Sequence, residues 1–134
     1  MRKHIMPEIF CSISIHTHTA DNAQIICKQL GTLGVNVLEE KISKEHDLVR
    51  IVIAREDYSA NWYLDEVLAS LLSQIKVSLS QVREIAHLHN AGIQIDIALW
   101  QYGTFPSLSI AGDNMRKIRE LEADIDIDAY SGKS

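Results

Sequence analysis

Asp124-Ile125-Asp126-Ile127-Asp128-Ala129-Tyr130 alternates without error. Successive strand residues point to opposite sides. Asp124, Asp126, Asp128 and Tyr130 therefore share one face, and Ile125, Ile127 and Ala129 share the other. The stretch reads as a strand with an acidic, solvated side and a dry side that belongs to the core. A sheet built on this plan needs helices over its dry face.

Upstream, the same alternation recurs. Glu8 to His16 sets Ile9, Cys11, Ile13 and Ile15 against Phe10, Ser12, Ser14 and His16. Ile93 to Trp100 sets Ile93, Ile95, Ile97 and Leu99 against Gln94, Asp96, Ala98 and Trp100. Val35 to Ser43 and Leu48 to Arg55 flank the polar Lys44-Glu45-His46-Asp47, as the two arms of a hairpin do. The second arm is apolar on nearly both sides, which places it centrally. The apolar phase of the first arm changes between Val37 and Leu38, the mark of a bulge. Phe105 to Ile110 reads as a further short strand, and Glu56 to Asn61 as a polar loop.

Between these strands the period changes to that of a helix. Asp21 with Gln24 forms an N-cap signature before Ala23, Ile26, Cys27, Leu30 and Leu33, and Gly34 ends the run. Leu64, Val67, Leu68, Leu71, Leu72 and Ile75 make the cleanest amphipathic stripe. Ser78 and Gln81 open another helix with Val82, Ile85, Ala86 and His89 on its stripe, closed by Asn90 and Gly92. Asp113 caps a last short helix carrying Met115, Ile118 and Leu121.

The expected architecture is a two-layer α+β domain over residues 1–134. It has a single mixed or antiparallel sheet of five to six strands, with about four helices on one face. Residues 1–7 read as a flexible N-terminal segment and 131–134 as a tail. Phe10 to Ile15 before Asp21-Asn22 resembles Phe105 to Ile110 before Asp113-Asn114. Two β-α-β units around a helical hairpin would explain that similarity; common strand-to-helix grammar is the alternative.

The 134 residues fit one domain, with 46% hydrophobic and 23% charged residues, as in an ordinary globular protein. No apolar run is long enough to cross a bilayer, so no membrane contact is expected. The N-terminus lacks the apolar core of a signal peptide, which makes the cytoplasm the expected compartment. Cys11 and Cys27 read as small buried hydrophobes. The net charge of -5 argues against nucleic acid and steers the chain towards basic partners.

Trp62-Tyr63-Leu64, the paired helices, Pro106-Ser107-Leu108-Ser109 and Asp126 to Tyr130 together resemble the bacterial domain-of-unknown-function family 4279. The chain departs from the family pattern between Val35 and Arg55, where a charged hairpin replaces a connection containing proline and glycine. The resemblance implies a small α+β protein of the bacterial cytoplasm. It brings no catalytic residues and only a loose association with toxin-immunity gene neighbourhoods.

No nucleophile elbow, phosphate loop, dinucleotide fingerprint or cysteine-rich zinc pattern occurs, so the sequence implies no cofactor. Counted by alternation, the outward sheet face gathers the candidate binding residues Ser14, Asp96, Trp100, Asp126, Asp128 and Tyr130. Same-face aspartates about 6.6 to 7 Å apart can perturb one another's ionisation or share a cation. The competing reading is a solvated face whose charge protects an exposed strand. His16 and His18 stand two apart on a strand, and with Asp126 and Asp128 they would make a metal site only if the fold brings the two segments together. His87 and His89 point about 200° apart on a helix and cannot chelate as a pair.

These observations favour a non-enzymatic protein-binding module, of immunity type if the partner is a basic toxin domain. A small metal-dependent enzyme using His16, His18 and the terminal aspartates is one alternative. A homodimer paired through an edge strand, with no ligand, is another.

Overall fold

The computed structural model describes residues 5–132. Among the described residues five strands and four helices follow in the order β1 (Glu8–Thr17), α1 (Ala20–Leu33), β2 (Glu39–Ser43), β3 (Leu48–Ala60), α2 (Leu64–Ser73), α3 (Leu79–Leu88), β4 (Gly92–Gln101), α4 (Gly112–Leu121) and β5 (Asp124–Ser131). The strands form one mixed sheet in the order β2-β3-β1-β4-β5, with β4 and β5 parallel and the other pairs antiparallel. The architecture is the expected two-layer α+β fold, with five strands. Among the described residues no helix is long and apolar enough to cross a membrane.

The connectivity follows from the pairings. β2 runs parallel to β1, with β3 inserted antiparallel between them. That is the split β-α-β arrangement of ferredoxin-like sheets. The α4–β5 unit adds one parallel strand beyond it.

The helices cover one side of the sheet. α2 presents Leu64, Val67, Leu68, Leu71 and Leu72, all buried, to β1 and β3. Each such side chain contributes about 1.5–3 kcal/mol by leaving water. α1 ends on Gly34 at φ 103°, a left-handed conformation that only glycine adopts without strain. Its N-cap is Thr19, whose hydroxyl accepts from the Asn22 N–H at 3.1 Å, and Asp21 falls in the first turn instead. α3 packs on β4 and α1, while α4 packs on α2 and α3.

That last packing leaves β5 uncovered. Ile125 and Ile127 were expected in the core, yet they are 39% and 44% exposed, and Ala129 is exposed too. Their side of the strand is apolar, as read from the alternation, but the helical layer stops over β4. Ile95, Ile97 and Leu99 in the next strand are buried.

Phe105–Ile110 does not join the sheet. Ser107 N–H donates to Trp62 O at 2.6 Å and Leu64 N–H to Ser107 O at 3.0 Å, so the segment docks on the lead-in to α2. Asp65 reinforces the contact by accepting from Ala111 N–H and from buried Asn114 Nδ2, both at 2.8 Å. Ala111, not Asp113, is the N-cap of α4. The two similar segments are thus a central strand and a docked loop, and they are not structural copies.

β3 continues through the expected loop to Ala60. β2 begins only at Glu39, and the register shifts fall between β1 and β3 rather than at Val37. Pro7 is buried and its carbonyl accepts from Asn61 N–H at 3.1 Å, while Ser131 still pairs with Gln101. Of the expected N-terminal segment and C-terminal tail, residues 1–4 and 133–134 lie outside the described residues.

Candidate functional site

The side of the sheet opposite the helices is open, and the registers arrange its side chains in rows. Arg50 lies beside His16; Ser14 sits between Val52 and Gln94, with Asp124 beyond. Ser12 sits between Arg55 and Asp96, with Asp126 beyond. Phe10, Ala98 and Asp128 make the next row, then Glu8, Trp100 and Tyr130. Five of the six candidate binding residues therefore cluster on β4 and β5. Ser14 lies one strand further in.

Charge is unevenly distributed across this face. On the β2–β3 side, Arg55 pairs with Glu39 at 3.3 Å and with Asp57 at 3.1 Å, and Lys41 lies 3.8 Å from Glu39. Arg50 reaches across β1 to Asp96 Oδ2 at 3.6 Å. Among the described residues no cation comes within ion-pair distance of Asp124, Asp126 or Asp128. Among the described residues the β5 margin is thus acidic and unneutralised.

Ser12 and Ser14 point to the open side but are buried, at 6% and 0% exposure. Their short side chains on the central strand lie below the longer Arg50, Arg55, Gln94 and Asp96 of the flanking strands. Ser14 Oγ and His16 Nε2 hydrogen-bond at 2.9 Å. Burial, then the nearby Arg50 charge, lowers the His16 pKa, while Asp96 opposes the shift. A serine bonded to a neutral imidazole has the composition of a nucleophile–base pair. The buried hydroxyl has no open approach for a substrate, so the pair is better described as a tie beneath the face.

Asp96 accepts from Gln94 Nε2 through Oδ1 at 2.5 Å, and among the described residues its buried Oδ2 has no hydrogen-bond partner. The 3.6 Å Arg50 contact is too long for a hydrogen bond and acts by charge.

The metal-site residues are not brought together. His16 faces Arg50 and Asp96, whereas His18 lies past the strand end, with Nδ1 3.2 Å from the Asp47 carbonyl. Asp126 and Asp128 lie two strands away from β1, with β4 between. Among the described residues no group of three His, Cys, Asp or Glu has the geometry to hold a metal ion. His87 instead pairs with Glu122 at 2.8 Å, and His89 Nε2 bonds Gln29 Oε1 at 2.9 Å.

Trp100 and Tyr130 meet at the end of the acidic margin. Their rings stack with centroids 4.8 Å apart and planes 22° apart. Alternation alone put both on one face; the parallel β4–β5 register makes them neighbours. Phe10 and Tyr58 form a second aromatic pair at 5.5 Å.

Arg50 is a residue of this open face, with Arg55, that sequence reasoning missed. It sits in the apolar run Leu48 to Ala54, and one charge there is the only signal of an open side. Across the molecule, an open groove of about 680 Å³ lies between α1 and α3, lined by Lys28, Leu33, Ile85 and Leu88 among others. No protein-family model matches this chain, and no curated protein or solved structure matches it.

Proposed function

We propose that this chain is a non-enzymatic protein-binding module of the bacterial cytoplasm that captures a basic partner on the β4–β5 side of its open sheet face. The observation that carries the reading is the β5 margin: every residue from Asp124 to Ser131 is exposed, and its three aspartates lack a cation among the described residues. The Trp100–Tyr130 stack supplies a rigid aromatic anchor beside that charge. Complementary charge favours encounter with a basic surface and disfavours an acidic one. The resemblance to domain-of-unknown-function family 4279 adds an immunity-type role against a basic toxin domain.

The metal-dependent alternative has no supporting cluster among the described residues. The test is affinity capture from the source bacterium with three baits: the wild type, Asp126→Lys with Asp128→Lys, and Glu84→Lys on the helical side. A basic protein retained by the wild type and by Glu84→Lys, but lost with the double reversal, upholds the reading. Equal retention by all three baits, or recovery of no basic protein, refutes it.

A further inference from the structure

We propose that β5 receives its partner by strand addition, pairing its free edge with an extended segment in which basic and apolar residues alternate. This rests on the protein-binding reading and names how the partner is held. Among the described residues β5 pairs only with β4, so every second residue of Asp124–Ser131 turns its N–H and C=O away from the sheet. Such an edge is a template for another strand unless it is blocked.

The opposite edge shows what blocking looks like in this fold. β2 is five residues long, and Glu39, Glu40 and Lys41 give it mixed charge. β5 is longer and regular: eight residues paired continuously with β4, without proline or a register shift. Its two sides differ sharply. Asp124, Asp126 and Asp128 line the open side, while Ile125 and Ile127 remain exposed on the helix side.

Those two sides select the occupant. A second copy pairing β5 to β5 would set aspartates opposite aspartates on one face, and like charges directly opposed destabilise a ladder. An incoming strand with Lys or Arg at alternate positions sets cations against the aspartates. Its intervening apolar residues then fall on the helix side, against Ile125 and Ile127. One alternating pattern satisfies the backbone, the charge and the exposed apolar surface together.

The probe is a capped eight-residue peptide of alternating Lys and Val, titrated into the full chain. Its controls are alternating Glu and Val, the same Lys and Val in two blocks, and the Lys–Val peptide with proline at a central Val. The Lys–Val peptide is expected to bind, with amide exchange slowed in β5. The proline and block peptides should bind at least about tenfold more weakly, because they lose ladder bonds or apolar register. Ile127→Lys, at a site exposed enough to keep the fold, should weaken the Lys–Val peptide about tenfold as well.

Equal affinity for the alternating, block and proline peptides would overturn strand addition and leave only a charged surface. No binding at millimolar peptide would overturn it too, although Asp126- and Asp128-dependent capture of a basic protein would still uphold the binding reading. Self-association of the chain in sedimentation, abolished by Ile127→Lys, would overturn it in favour of a second copy as the occupant.

Discussion

Ile127 lies beside Ile97 in the parallel register of β5 and β4, on the same side of the sheet, yet Ile97 is 2% exposed and Ile127 is 44% exposed. The edge of the helical layer runs between them. It divides a strand that is core from a strand that is surface. The apolar side of β5 is exposed for this reason, while its aspartates lie on the side that the helices do not cover.

The contrast is measurable in stability. Ile97→Ala should cost about 2–4 kcal/mol, since it opens a cavity in packed core. Ile127→Ala should stay within about 0.5 kcal/mol of the wild type, as an exposed position does. Urea unfolding of both variants checks the pair, and equal losses would mean that β5 is covered.

Arg50 and Asp96 should be coupled. Their contact spans β1 at 3.6 Å, and the side chains are 36% and 21% exposed. After allowance for solvent screening, a double-mutant cycle with Arg50→Met and Asp96→Asn should return about 1 kcal/mol. Arg50→Met alone should destabilise more than the double variant, because it leaves Asp96 Oδ2, unpartnered among the described residues, without its nearby cation.

His16 should make stability fall as the medium is acidified. Its folded-state pKa lies below the ordinary 6.5 because burial and Arg50 disfavour the imidazolium, with Asp96 opposing them. Between the two pKa values the unfolded chain binds more protons, so stability is full above 6.5 and is lost as the pH drops through it. His16→Gln should flatten that part of the profile relative to the wild type. Parallel profiles for the two proteins would show that His16 contributes nothing there.

The cysteines should resist thiol reagents. Burial pushes Cys11 up to about 12, with Glu56 adding to the effect. Cys27 is also pushed up to about 12, by burial and by the bond its Sγ donates to Glu40 Oε1 at 3.0 Å. At pH 8 roughly one thiol in ten thousand is then thiolate, the reactive form. Glu40→Gln should speed modification of Cys27 about tenfold and leave Cys11 unreacted until the chain unfolds. A Cys27 rate indifferent to Glu40 would remove that carboxylate from the account.

Much of the fold was legible because it follows from periodicity. Leu64 to Ile75 announces α2, and Ile93 to Leu99 announces β4, whatever surrounds them. Position in the sheet is a different matter. Alternation marks Ile125 and Ile127 as apolar on one side, but coverage depends on where α4 settles, and it settles on α2 and α3. Phe105 to Ile110 carries strand grammar too, yet its backbone groups find partners at Trp62 and Leu64 before any sheet edge. Ser14 was placed on the correct face and still is not surface, because longer neighbours on β3 and β4 lie over it. The Trp100–Tyr130 pair was half readable: their common face follows from alternation, their stacking only from strand order.

The most direct measurement is amide hydrogen exchange on the full chain, alone and bound to the basic protein that the proposed affinity capture would retain. Slowed exchange centred on Asp124–Ser131, with the α1–α3 groove unchanged, is the predicted result. Protection confined to Lys28, Leu33, Ile85 and Leu88, with β5 exchanging as in the free protein, would contradict the account.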